Sequence, residues 1–354
     1  MDGRIVPFGM ALPVIQAPMA GGPSTPALAA TVSAAGGLGF LAAGSRTAAA
    51  VRDEIAAVRE RTGEPFGVNV FVPGPDPVRA GMTGVEAALA RYRQELAAEA
   101  DRYGVALPQT VTWNDDEWEA KIDLLESESV PVVSFMFGCP SAEVVARLRS
   151  AGSAVVITVN TPAEAVAAAE TGADALVVQG PGAGGHQADF LPSDWSPPSG
   201  LPELVAEIRG VVDLPLAAAG GIMDGRGIAA VLRAGAVAAQ LGTAFLRTPE
   251  SGAHPVHKAA LTDPAFTETA FTRAFTGRRA RGLLNRFMAE HEGSAPHLYP
   301  QVHQLTTGLR RAAGEQGDPH GMSLWAGVGY RLGRDLPAAR LVESLAEETR
   351  AALA

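Results

Sequence analysis

The chain has 354 residues, 47% of them hydrophobic and 19% charged, enough apolar material for one large α/β domain, with or without a smaller appendage, and too much for a disordered polypeptide. A formal net charge of −10 argues against nucleic acid or an anionic membrane as partner and in favour of small ligands. Cys139 is the single cysteine, MDGRIVPFGMALPVIQ has neither a charged n-region nor an apolar h-region, and no uninterrupted apolar run is long enough to span a bilayer, so a cytoplasmic protein without a membrane anchor is expected.

In chain order, apolar β-branched runs recur eight times: residues 14–19 (VIQAPM), 38–43, 66–72 (FGVNVFV), 130–137 (VPVVSFMF), 154–160 (AVVITVN), 175–179 (ALVVQ), 214–219 (LPLAAA) and 237–246 (VAAQLGTAFL). Helical patterns fall between most of them, at 26–35, 48–59, 141–150, 163–171, 202–210 and 225–233. Strands buried on both faces read as continuous apolar runs, and parallel neighbours need helical crossovers. Eight βα units predict a (β/α)8 TIM barrel. Residues 73–129, with helical stretches at 84–103 and 114–128, form an elaborated third unit placed to cover the barrel mouth. Residues 248–320 carry little strand signal and helical patterns near 257–261, 277–291 and 300–313, which predicts a helical cap on a barrel made of 1–247 plus 321–354.

Chemistry in such a barrel sits at the C-terminal ends of the strands. That rule selects residues 16–19, Asn69, 137–140, Asn160, 179–186, Gly220, Gly221 and 240–243. The stretch ALVVQGPGAGGHQADF holds a formal GxGxxG at Gly180, Gly182 and Gly185. A dinucleotide fingerprint needs a helix to open within its glycines and an acidic residue closing the next strand. Here QADFLPSDWSPPSG follows, rich in proline and without a helical period, and Glu203 lies inside a helical pattern. The glycines are read instead as bringing backbone close to a flat ligand and presenting His186; a tight loop with a surface histidine is the plainer alternative. Two further glycine sites, Gly220 and Gly221 in AAAGGIMDGRGIAAVL and Gly242 and Thr243 in AAQLGTAFL, together suggest the phosphate site common in such barrels, with Asp224 as the N-cap of the next helix. His254 and His257 lack a completing ligand set and are read as solvated loop, so no metal is expected. Cys139 receives no role, and Ser134, Asp189 and His186 lack a G-x-S-x-G elbow.

PVIQAPMAGG, FGVNVF, VPVVSFMFG, ALVVQG…AGGH, AAGGI and AQLGTAFL, in this order and with a late echo in GMSLWAGVGY, resemble the FMN-dependent nitronate monooxygenases, also called 2-nitropropane dioxygenases. The resemblance implies that Asn69, Gln179, Gly184, Gly221, Gln240, Leu241, Gly242 and Thr243 hold FMN, that Ala17, Pro18 and Met19 lie near the flavin, and that His186 is catalytic. It implies oxidation of a nitronate or nitroalkane by molecular oxygen, and leaves a homodimer open. Gly182 stands where many members carry an acidic residue, and Gln187 and Ala188 follow the histidine where a glycine is common. The imidazole could donate a hydrogen bond to the nitro group or remove an α-proton. A flavin-dependent enoyl-thioester reductase using NAD(P)H and a non-flavin phosphate-binding barrel are the competing readings.

Overall fold

The computed structural model describes Ile5, residues 7–192, 196–198 and 200–354. Eight parallel strands build one sheet: β1 (Val14–Gln16), β2 (Gly39–Ala42), β3 (Phe66–Phe71), β4 (Val132–Met136), β5 (Ala154–Val159), β6 (Ala175–Gln179), then β8 (Leu216–Ala219) and β9 (Ala238–Leu241), with the short β7 (Gly185–His186) standing outside it. The strand order is β1-β9-β8-β6-β5-β4-β3-β2. Leu38 closes the ring against Ile15, accepting from the Gln16 amide at 2.9 Å and donating to Val14 at 3.0 Å, and Gln16 Oε1 accepts from the Phe40 amide at 2.9 Å. This is the expected (β/α)8 barrel. Alternate residues explain the continuous apolar runs: Ile15, Phe40, Val132, Val156, Val177 and Ala217 share one core, and Val14, Leu41, Val68, Val133, Ile157 and Leu176 share the core formed with the helices.

Polar caps start the crossover helices where the sequence placed them. Thr25 accepts from Leu28 at 3.0 Å, Thr161 from Glu164 at 3.1 Å and Asp224 from Gly227 at 2.9 Å, each satisfying an amide of a helix first turn. The apolar run at 237–246 is not one strand: it ends at Leu241, and a 3-10 turn spans Thr243–Phe245, because Gly242 turns the chain. The last helix, Ala338–Leu353, packs on the helix Gly225–Arg233 and on Pro26–Ala34, returning the C-terminal segment to the barrel wall.

The cap departs from the all-helical expectation. Residues 277–291, read as helical, contain strand β11 (Ala280–Leu283) followed by the helix Arg286–His291, and β10 (Thr269–Thr272) precedes them. β10 and β11 pair antiparallel, and β11 pairs antiparallel with β7 through Ala280↔His186 and Arg281↔Gly185. The strand signal was hidden by arginines: Arg279 and Arg281 lay their guanidinium groups over Phe271 at 3.9 and 4.0 Å, so long cationic side chains replace the apolar residues that usually mark strands. The third-unit helices Val85–Glu95 and Ala97–Tyr103 share a core with the cap, joining Leu89, Tyr92 and Leu96 to Phe275, Phe287 and Leu305. Arg286 Nη2 donates to the buried Glu99 at 2.8 Å across this junction, and the Tyr92 hydroxyl donates to the Ala274 carbonyl at 2.6 Å. No helix among the described residues is long and apolar enough to cross a membrane.

Candidate active site

His186 lies on the two-residue strand β7, beyond the C-terminal end of β6. Its ring is half-buried and enclosed by Phe137 at 5.6 Å, Trp325 at 5.6 Å and Tyr299 at 6.2 Å between centroids. Its Nε2 lies 2.9 Å from Thr276 Oγ1 in the hairpin that precedes β11. Burial, reinforced by the positive charge of Arg278 and by His303 and Arg310, pushes its pKa down to about 3, so the imidazole is neutral throughout the physiological range. Arg278 itself stacks over Phe137 at 3.9 Å, and among the described residues no carboxylate forms an ion pair with Arg278 or Arg310. Burial pushes the Tyr299 hydroxyl up to about 12.

Phe137 and Tyr299 connect this ring to a cavity of about 1090 Å³ lined by both the third-unit insertion and the cap, including Phe71, Trp113, Arg278 and His303. The insertion therefore lines the same cavity as the cap. Trp113 is pinned there by donating to the Gly74 carbonyl at 3.1 Å.

The chain around His186 is held from the barrel side. Gln179 donates to the His186 carbonyl at 3.0 Å and accepts from the Ala188 amide at 2.9 Å, and Asn160 donates to Gln179 at 3.0 and 3.1 Å. The buried Glu164 accepts from the amides of Asn160, Phe190 and Leu191 at 2.7, 2.8 and 3.2 Å. The Gln179 amide, assigned by resemblance to the flavin, is thus engaged in positioning the histidine loop. Ser193, Asp194, Trp195 and Ser199 of the following proline-rich stretch lie outside the described residues.

The glycine loops converge on the late segment Ala326–Val328. A Cβ on Gly184 would sit 2.5 Å from the Ala326 carbonyl carbon and the Gly327 nitrogen. The Val328 amide donates to the Gly182 carbonyl at 3.1 Å, and the Gly327 amide donates to Thr243 Oγ1 at 2.9 Å. Gly221 has φ +74° beside Val328, and its amide, like that of Gly242, has no hydrogen-bond acceptor among the described residues. A Cβ on Gly242 would meet Ala17 and Met19 at 3.5 and 3.6 Å, so the ends of β1 and β9 adjoin. Gln240 is half-buried with its side-chain amide unengaged, in register with Ile15 and Ala219. The structure therefore gathers Ala17, Met19, Gly184, Gly220, Gly221, Gly242 and Thr243, with Pro18 and Leu241 adjacent in the chain. Asn69 lies on β3, buried and donating to Ser134 Oγ at 2.8 Å.

A family model described as nitronate monooxygenase matches residues 7–348. The chain belongs to the nitronate monooxygenase family. A probable nitronate monooxygenase of Staphylococcus aureus (strain Newman) is 39% identical over 338 residues, covering 94% of this chain and 93% of that protein. A solved structure of nitroalkane oxidase from Streptomyces ansochromogenes is 52% identical, covers 97% of both chains and superposes with a TM-score of 0.91. FabK from Thermotoga maritima is 28% identical over 97% of this chain and 94% of its own, with a TM-score of 0.75. Nitronate monooxygenases are flavoenzymes, which suits a site with unpaired loop amides.

Some sequence readings need correction. His257 is buried, its Nε2 lies 3.2 Å from the Trp325 carbonyl, and desolvation pushes its pKa down to about 4, so it is a packed core histidine and not solvated loop; His254 caps the same helix by accepting from the Val256 amide. In keeping with the missing elbow, Ser134 is buried, accepting from Asn69, and Asp189 is exposed. Thr276, Phe137, Tyr299, Trp325 and Arg278 were missed as neighbours of the histidine. Two signals existed: Phe137 falls among the strand-end residues 137–140, and the GMSLWAGVGY echo contains Trp325 and the segment that fills the glycine cradle.

Proposed function

We propose that this chain is an FMN enzyme that oxidises alkyl nitronates, and neutral nitroalkanes once their α-proton is removed, to carbonyl compounds and nitrite with molecular oxygen as oxidant. Family membership supports the reaction class. The observation that carries the role of the site is the neutral His186 imidazole, enclosed by three aromatic rings beside the glycine loops. Gly220, Gly221, Gly242 and Thr243 would hold the phosphate, because two loop amides there lack acceptors and a side chain at Gly221 would crowd Val328. Ala17, Pro18, Met19, Asn69, Gln179, Gly184, Gln240 and Leu241 would surround the ring system. FMN, when bound, supplies a redox centre that oxygen regenerates.

The chain's own residues do the rest. His186 takes the α-proton of a neutral nitroalkane, and the electron pair of that C–H bond moves onto the nitro group. The unpaired positive charges of Arg278 and Arg310 favour the anion so formed. Residues 1–247 with 321–354 act as the flavin-binding barrel, and 248–320 with the third-unit insertion as the access region. The compartment consistent with one unpaired cysteine is the cytoplasm.

The test is anaerobic mixing of purified enzyme with a nitroalkane, its preformed nitronate, and NADH or NADPH, following flavin absorbance, in wild type and His186→Asn. Bleaching by the nitro compounds is expected, with the variant losing about 10²–10⁴-fold on the neutral form and less on the nitronate. Bleaching by a nicotinamide alone would replace this reading with the reductase one. Chromatography of the flavin released on denaturation identifies it; recovery of FAD would overturn the single-phosphate site.

A further inference from the structure

We infer that Thr276 fixes the tautomer of His186, holding the ring as Nε2–H and leaving Nδ1 as the nitrogen that accepts the substrate's proton. This rests on the reading of His186 as the group that meets the substrate. A threonine hydroxyl has one hydrogen to give and two lone pairs to receive. Thr276 Oγ1 lies 3.1 Å from the Arg278 carbonyl, which can only accept, and 3.3 Å from the Arg278 amide, which can only donate. The hydroxyl hydrogen goes to that carbonyl, so the remaining lone pair faces His186 Nε2 at 2.9 Å and receives a hydrogen from it. Nδ1 has no partner among the described residues and is not a buried orphan.

The hydroxyl is itself held in place. Thr276 is 1% exposed, its β-branched side chain has restricted χ1, and the turn that carries it is closed by Thr276 and Gly277 amides donating to the Arg273 carbonyl at 3.1 and 2.7 Å. Gly277 has φ +79°, and a Cβ there would sit 2.5 Å from the Leu298 carbonyl oxygen, so the turn admits only glycine. The backbone of His186 is fixed independently, by Gln179 at its carbonyl and by the Gln187 amide donating to Arg279 at 2.9 Å. The ring is therefore anchored by the cap and the backbone by cap and barrel together. A neutral hydroxyl orients the ring without the charge a carboxylate would bring. The groups facing the ring are cationic or neutral: Arg278, Arg310, His303 and Tyr299.

The proton step follows from this tautomer. The α-C–H bond of a neutral nitroalkane breaks, Nδ1–H forms, and the electron pair passes to the nitro group. A nitronate, already deprotonated, meets a lone pair at Nδ1 and receives no hydrogen bond from it.

The experiment uses holoenzyme labelled with ¹⁵N at its seven histidines. Long-range proton–nitrogen spectra are recorded for wild type, Thr276→Val and Thr276→Ser, with the His186 signals found by their loss in His186→Asn. Wild type and Thr276→Ser should show a protonated Nε2 and an unprotonated Nδ1; Thr276→Val should show a mixture. Turnover of the neutral nitroalkane should fall about tenfold in Thr276→Val, the nitronate losing less, and return in Thr276→Ser. A protonated Nδ1 in wild type, or identical spectra and rates in Thr276→Val, overturns the inference. If the valine variant does not fold, the wild-type spectrum alone decides. Full activity of His186→Asn on both substrates would instead refute the role given to the histidine, an outcome separate from the tautomer.

Discussion

Replacing Gly184 by alanine would drive a methyl group into backbone. The added Cβ falls 2.5 Å from the Ala326 carbonyl carbon and the Gly327 nitrogen and 2.9 Å from the Ala326 Cα. To reach the 3.4 Å of ordinary contact the segment must retreat by about 0.9 Å, and none of these atoms can rotate out of the way. Overpacking of this kind costs about 1–3 kcal/mol. The retreat also stretches the Val328 to Gly182 bond at 3.1 Å and the Gly327 to Thr243 bond at 2.9 Å, each worth about 1 kcal/mol. With each bond weakened by about half, the expected total is about 2–4 kcal/mol, and if about half of it falls on the loops that would hold FMN, its affinity should weaken about 5–30-fold. Titrating flavin-free protein with FMN by fluorescence, alongside urea unfolding, measures both effects. Gly63→Ala is the control, since a Cβ there meets nothing within 4 Å. If Gly184→Ala matches Gly63→Ala in dissociation constant and unfolding midpoint, the close packing of Ala326–Val328 on the glycine loop is not what holds the site together.

Gly242→Asp should raise the FMN dissociation constant at least about tenfold by setting an anion where the phosphate would sit, whereas Gly242→Ala, whose Cβ makes only ordinary contacts with Ala17 and Met19, should bind near wild type; equal binding by both would remove the phosphate assignment. Acid should destabilise the fold early: His186, His257 and His303 have pKa values lowered to about 3, 4 and 3 from an ordinary 6.5, so the unfolded chain takes up their protons first and stability is lost as pH falls from about 6.5 towards 4. Each can contribute up to about 1.4 kcal/mol per pH unit in that window. Urea midpoints should decline between pH 7 and 5 and decline less in His257→Gln, which keeps a donor for the Trp325 carbonyl; a flat profile in wild type would contradict the buried neutral histidines.

The barrel was legible because its signal is local and repeated. Each strand buries both faces, so every run reads as apolar, and several crossover helices announce themselves with a capping residue such as Thr25, Thr161 or Asp224. The cap was not legible as a sheet because β11 carries Arg281, with Arg279 just before it, and β7 is two residues long, too short for any period to show. Thr276 and Tyr299 were invisible for a different reason. They lie 90 and 113 residues from His186, and nothing in TRAFTGRRAR or HLYPQVH distinguishes a partner of the histidine from a surface loop. Gln179 was legible as important but not in its task, since an amide at a strand end can serve a ligand or a neighbouring loop equally well, and here it grips the chain on both sides of Gln187.

The misreading of the cap alters how the site is understood. A helical lid over a finished barrel would leave His186 on a loop whose backbone groups face solvent, with its pKa near 6.5 and its ring free to turn. In the structure β7 has no partner in the barrel sheet; it pairs with β11, and the cap supplies Thr276 to the ring and the charge of Arg278 and Arg310 to its surroundings. The cap is therefore part of the histidine's electrostatic environment as well as a covering for the cavity. That environment keeps the ring neutral and able to accept before the proton moves, and its cationic side chains favour the anion left when a nitroalkane gives its α-proton to the ring. The barrel contributes the complementary half, glycine loops whose free amides suit a phosphate, and the single segment Trp325–Val328 links the two, with Trp325 against the histidine and Gly327 and Val328 bonded to the glycine loops. A shift of that segment would be felt at both ends of the site at once.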